Sequence, residues 1–335
     1  VDTGGRGELE VRFERLRLRR RPDAADGSGA PEADGDDGRD GGQRLDPRRM
    51  PSADVLVGQL VLDDLDLGQL DMRLRGLDDG LRLSNLRITD GALALDATGE
   101  WRTVPAGDAG DAGDADGGVR MHLDADLETG AIDPLLTALG YARTLSADRF
   151  RAQASLRWSD MDALARLAGA EGTLSVEATE GNIAAVEPGA GRMLGLFNFY
   201  ALPRRLGLDF RDVTASGLAF DRLAGSFALG GGQARTDDLV LDGPSLRVEV
   251  DGRVGLAARD YDQLISIYPD VSGGMTLGGA VLGGPVGVGI ALLARELFET
   301  PIDAATRIQY RLVGPWDDPQ FIPQDIDTPS EERSP

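Results

Sequence analysis

The chain has 335 residues, 41% hydrophobic but only 5% aromatic, with 35 basic residues against 57 acidic ones and a formal net charge of −22. Length and apolar content allow a real core in one or two domains, while the negative charge repels phosphate backbones and excludes nucleic-acid binding driven by counterion release. With no cysteine, disulfides, thiolate catalysis and Cys-ligated zinc are excluded as well.

No positively charged, apolar leader opens the sequence, which reads as a piece of a longer chain. Residues 20–52 are so poor in apolar groups that burial cannot offset the entropy of ordering them, and they read as a flexible insertion. The dominant signal after it is period-two alternation: Leu60 and Leu62, Leu65 and Leu67, Leu70, Met72 and Leu74, Leu81 and Leu83, Leu86 and Ile88. Each run turns its apolar side chains to one face of a strand. The phase slips between runs require turns or β-bulges, and Asp63, Asp64, Asp78 and Asp79 read as turn or strand-face carboxylates rather than as catalytic or metal-binding pairs.

LRITDGALALDATG (86–99) and LVLDGPSLRVEVDG (239–252) share a strand, an Asp-Gly turn, a second strand and a closing Gly. This loose repeat predicts similar hairpin units, with glycine supplying positive φ at the turn. Residues 105–118 (PAGDAGDAGDADGG) form an acidic linker. His122, the single histidine, lies in the alternating segment VRMHLDADL and reads as an outward polar residue, so a Ser/His/Asp triad would rest on it alone.

Helices are predicted at 131–140, where Asp133-Pro134 resembles an N-cap followed by proline and Gly140 ends the run, and at 160–168. A third, 189–202, is apolar nearly all round. Met193, Leu196, Phe197 and Tyr200 make one face and Leu194, Phe199 and Leu202 widen it, so it must lie in protein or against lipid. Pro203 ends it, and Arg204 and Arg205 follow where cations meet a helix C-terminus or lipid phosphates. Residues 271–294 carry no charge, but eight glycines and Pro285 favour a Gly-rich hairpin leading into a helix over 286–299 rather than a membrane span. The segments are thus 1–104 (β, with the insertion), the linker 105–118, a β-domain with helices over 119–323, and a disordered tail 324–335.

The order GAGRMLGLFNFYALPRRLGLDFRDV, GGGQARTDDLVLDGPSLRVEVDGRVGL, VSGGMTLGGAVLGGPVGVGIALLA and YRLVGPWDDP, with GYARTLSADRFRAQASLRW upstream, resembles the C-terminal portion of the YhdP group of AsmA-like proteins of the Gram-negative envelope. The resemblance covers about 53–323, and the acidic insertions depart from its pattern. It implies a curled antiparallel β-sheet forming an open apolar groove, with a few peripheral helices near the C-terminal end. It further implies a bridge-like carrier of phospholipid, anchored in the inner membrane by a helix upstream of this segment and reaching through the periplasm. This chain would then be the distal end, near the outer-membrane surface. The family brings no catalytic residues and no cofactor.

On that expectation Leu60, Leu62, Leu70, Met72, Leu74, Leu81 and Leu83 line the groove, and Met193, Leu194, Leu196, Phe197, Phe199, Tyr200, Arg204 and Arg205 form a membrane contact or gate. The alternative is an interaction module that assists outer-membrane protein assembly through exposed strand edges. If the 189–202 helix gates the exit, replacing Leu196 and Phe197 with Asp abolishes lipid transport while the sheet keeps its circular-dichroism signature. Unchanged transport in that variant refutes the gate.

Overall fold

A computed structural model describes residues 7–19, 46–104, 118–130, 132–138, 145–159, 167–183, 218–244, 246–269 and 307–324. The described chain is mainly β and forms two compact units, Val1–Tyr141 with Arg151–Gly172, and Ala142–Phe150 with Thr173–Pro335. The sheet is mixed and unclosed: its end strands each pair on one side only.

In the first unit, β1 (Glu8–Phe13) and β2 (Leu16–Leu18) both pair with β3 (Ser52–Leu62). β4 (Leu65–Leu77), β5 (Gly80–Thr89), β6 (Ala94–Val104) and β7 (Gly118–Thr129) then follow as antiparallel neighbours in chain order. The wholly antiparallel expectation needs one correction, because β1 and β2 run parallel to β3. Parallel neighbours cannot be joined by a tight hairpin and need about a dozen or more connecting residues. The long polar stretch between Leu18 and Ser52 supplies that length. Its final part is described: Asp46 accepts a hydrogen bond from the Arg48 backbone N–H at 3.0 Å, Pro47–Arg49 make a single 3-10 turn, and Pro47 is fully buried.

The phase slips fall where turns and bulges occur. Asp63-Asp64 and Asp78-Asp79 are the hairpin turns on either side of β4. Asp63 takes φ 52 and its backbone N–H donates to the Leu18 carbonyl at 2.8 Å. Within the strands, register shifts lie between Val57 and Leu60, at Leu60/Val61 opposite Gly68, and between Leu83 and Leu86. Gly68 has φ 92, and a Cβ there would sit 2.0 Å from the Thr89 carbonyl oxygen. Asp66 fixes this kink by accepting from the Gly68 N–H at 2.9 Å and from the Gln59 amide at 2.6 Å.

Both copies of the repeat are hairpins, β5–β6 in the first unit and β11 (Gln233–Asp242) with β12 (Leu246–Gly255) in the second. The glycine acts differently from the expectation. In the first copy Asp90, not Gly91, carries the positive φ of 63, and Gly91 is required because a Cβ would meet the Leu67 carbonyl carbon at 2.1 Å. In the second, Gly243 donates its N–H to the Leu246 carbonyl at 2.9 Å.

Helix α1 (Ile132–Ala138) matches the prediction for 131–140, with Asp133 and Pro134 inside its first turn; it lies near β4 and buries Ile132, Leu135, Leu136 and Ala138. Of the segment 160–168, Leu167 and Ala168 begin a 3-10 turn, Leu167–Gly169. The remainder, like residues 20–45, 105–117, the 189–202 helix with its two arginines, 271–294 and 325–335, lies outside the described residues.

In the second unit β10 (Leu218–Gly230), β11, β12, β13 (Asp260–Pro269), β14 (Ile308–Pro315) and β15 (Gln320–Gln324) pair in order, all antiparallel. β8 (Leu145–Trp158) and β9 (Glu171–Ile183) contribute residues to both units.

Replacing Gly68 with Ala is expected to destabilise the first unit by roughly 2–4 kcal/mol, since it combines a left-handed φ with a backbone clash. A urea-melt midpoint that does not move would show that the kink relaxes freely.

Candidate functional site

Residues directly opposite each other in a ladder point to the same face, so the register assigns the paired residues of β3–β7 to one of two surfaces. Val57 lies opposite Leu70, Val55 opposite Met72 and Ala53 opposite Leu74. Leu70 faces Ile88, Met72 faces Leu86, and Leu74 faces Leu83. Across the next strands Leu81, Trp101 and Met121 form one row, and Leu86, Ala97 and Ala125 another; Ile88, Leu95 and Leu127 make a third. One surface of β3–β7 is therefore hydrocarbon in every row. Each bulge absorbs one residue and returns the next apolar run to the same side.

The opposite surface is ionic. Arg82 and Arg102 both donate to Glu100 at 2.7 Å, and Arg102 also reaches Asp79 at 2.8 Å. Arg87 pairs with Asp96 at 2.6 Å, Arg75 with Asp54, and Arg151 with Glu128 at 2.7 Å. Charge-assisted bonds from Arg102 and then Arg82 hold the Glu100 carboxyl below its usual range, and Arg75 does the same for Asp54. These pairs are solvent-exposed and contribute little to stability. Their main effect is to make burial of this charged side the costly orientation.

The predicted groove residues separate on this map. Leu70, Met72, Leu74, Leu81 and Leu83 share the apolar surface, all partly exposed except Leu81. Leu60 and Leu62 sit beyond the register shifts, opposite Gly68 and Leu65 at the hairpin end; Leu60 is buried and Leu62 partly exposed. The sequence reading missed Val55, Leu86 and the contributions of β6 and β7, above all Trp101, Met121, Leu123 and Leu127. The alternation on either side of His122 is the signal that marks the β7 residues.

The two units differ in access. In the first, Val55, Leu70, Met72, Leu74, Leu83, Leu86, Leu95, Leu123 and Leu127 all retain partial solvent exposure. In the second, the corresponding face is shut: Leu223, Leu239, Leu241, Val254, Ile265 and Leu312 are each 1% exposed. It also buries Gln263 between Gly252 and Leu312 with its Nε2 lacking a partner, and Thr236. A solvent-open hydrocarbon wall along the whole chain is thus not what the described residues present.

His122 is exposed on the ionic surface opposite Glu100. Its Nε2 lies 3.3 Å from Ser155 Oγ and 3.4 Å from Asp124 Oδ1. Both neighbours approach the same ring nitrogen, whereas a triad needs the carboxylate on one nitrogen and the hydroxyl on the other.

The chain matches the family described as YhdP protein over residues 1–321. It belongs to the YhdP family. It is 27% identical over 281 residues to the "Intermembrane phospholipid transporter YhdP" of Escherichia coli (strain K12), an alignment that covers 83% of this chain and 21% of that protein. The chain therefore spans about a fifth of the length of this YhdP relative. No solved structure matches it.

Because Glu100 and Asp54 titrate below their ordinary range in the fold, their contribution is complete at neutral pH and is lost as acid protonates them. Glu100→Gln is expected to cost under about 1 kcal/mol at neutral pH and to leave stability in strong acid unchanged. Thermal melts of both proteins across the acid range, failing to converge, would place the stabilisation elsewhere.

Proposed function

We propose that this chain is a segment of an envelope lipid conduit, and that acyl chains of phospholipid lie against the apolar surface of β3–β7. The observation that carries the reading is the partly exposed hydrocarbon face of five strands backed by an ion-paired opposite face. Apolar side chains left partly open to water on one sheet face are what an interaction surface for hydrocarbon requires. Moving a phospholipid through water exposes roughly thirty methylenes at about 0.8 kcal/mol each, a penalty on the order of 20 kcal/mol. A sheet face of leucine, isoleucine and methionine replaces that contact with no chemical step. It also offers no directional bond that would trap the lipid at one position.

Membership of the YhdP family supports the same reading, since the E. coli relative is named an intermembrane phospholipid transporter. The finer placement is part of the proposal: an envelope location, an inner-membrane anchor outside this segment, this end near the outer membrane, and the 189–202 helix as the exit gate. Because the face of the second unit is shut among the described residues, the proposal puts lipid contact on the first unit.

The alternative, strand-edge pairing with a client polypeptide, draws on β1, which exposes Leu9 and Phe13, and on β15, which exposes Ile322. Photo-crosslinkers at Met72, Leu83 and Leu123, with Arg87 as the opposite-face control, separate the two. Phospholipid captured at the first three and not at Arg87 is the expected result, and Met72→Asp should abolish capture at Leu83 with the fold intact. Polypeptide captured in place of lipid would favour the assembly role.

A further inference from the structure

At one margin of the first unit, the start of β7, the end of β8 and the approach to β9 border an open concavity of about 120 Å³. Arg120, Arg157, Trp158, Ser159, Gly169 and Glu171 line it. Its charges differ from those on the rest of the ionic surface. Arg73, Arg75, Arg82, Arg87, Arg102 and Arg151 each have a carboxylate partner. Arg120, Arg157 and Glu171 have none among the described residues, although all three border one cavity. In a chain with a net charge of −22, Arg120 and Arg157 border one cavity with no carboxylate partner among the described residues.

The cavity also lies where the two surfaces meet. Arg157 and Trp158 are successive on β8, so their side chains point to opposite faces. Arg157 is exposed, whereas Trp158 is 5% exposed, with its indole N–H buried and without an acceptor. Gly172 keeps β9 tight against this part of β8: a Cβ there would lie 2.0 Å from the Ser155 carbonyl oxygen.

We propose that this rim cavity takes the zwitterionic headgroup of a phospholipid, a phosphodiester that carries an amine. The guanidinium forks of Arg120 and Arg157 match phosphate oxygens. Glu171, with the indole of Trp158, supplies the counter-charge and π-face for the ammonium. One ligand of this class satisfies all three unpaired charges, which neither a simple anion nor a simple cation does. The assignment rests on the lipid-conduit reading and deepens it: with the headgroup at the margin, the acyl chains run onto the apolar face at Met121 and Trp101.

The test is calorimetric titration of the full 335-residue chain with short-chain phosphatidylethanolamine, the diacylglycerol of the same chain length, glycerophosphoethanolamine and inorganic phosphate. Arg120→Ala with Arg157→Ala should weaken the phosphatidylethanolamine at least tenfold and leave diacylglycerol unchanged. Glu171→Gln should weaken phosphatidylethanolamine more than the matching phosphatidic acid. Equal affinity of the double variant and the parent for phosphatidylethanolamine overturns the site. So does wild-type affinity for diacylglycerol equal to that for phosphatidylethanolamine, or inorganic phosphate bound as tightly as glycerophosphoethanolamine. Arginine-dependent binding of glycerophosphoethanolamine without uptake of either lipid keeps the headgroup site and overturns the conduit. Lipid captured on β3–β7 equally by the parent and the double variant keeps the conduit and overturns the site.

Discussion

Cross-strand register is the constraint on which the first unit depends. A slip of one residue would carry an entire strand's leucines to the ionic side, and β3, β4 and β5 each contain an irregularity that threatens such a slip. None of these leaves the faces mixed. The irregularity between β3 and β4 falls at Gly68, where only glycine fits, and beside Asp66, whose carboxylate ties the kink to β3 and to the strand's own backbone. Backbone geometry at a few polar positions thus determines which surface the apolar side chains share.

The ionic face reinforces that choice without stabilising the fold by much. Arginine and carboxylate alternate across β5 and β6, so Arg82, Arg87 and Arg102 each find a carboxylate partner on a neighbouring strand or turn. Turning a strand over would strand several charges against hydrocarbon, at a cost far above the worth of any surface pair. The second unit uses the same pattern to a different end. Its apolar face is withdrawn from water as a protein interior is, and it tolerates Gln263 and Thr236 within it.

Most of this was legible in the sequence because strand periodicity is short and the phase slips were themselves visible. Leu60 through Leu83 announced both the strands and the turns at Asp63-Asp64 and Asp78-Asp79. Three things were not legible. The parallel course of β1 and β2 depends on chain reversal across a polar stretch that carries no pattern of its own. Solvent access depends on what lies above a face, which alternation cannot report; the leucines around Met72 stay open to water while those around Leu239 are closed off, yet both runs are written in the same letters. The rim cavity unites residues from three strands, and nothing in the sequence marks Arg120 and Arg157 as neighbours that share it.

The parallel pairing of β1 and β2 with β3 has one further implication. Leu18 stands opposite Leu62, while the chain must resume at Ser52, a return of ten strand steps or about 33 Å. Some ten extended residues cover that distance, far fewer than residues 19–51 provide. The strand order therefore requires only a fraction of the length that the sequence supplies between these two residues.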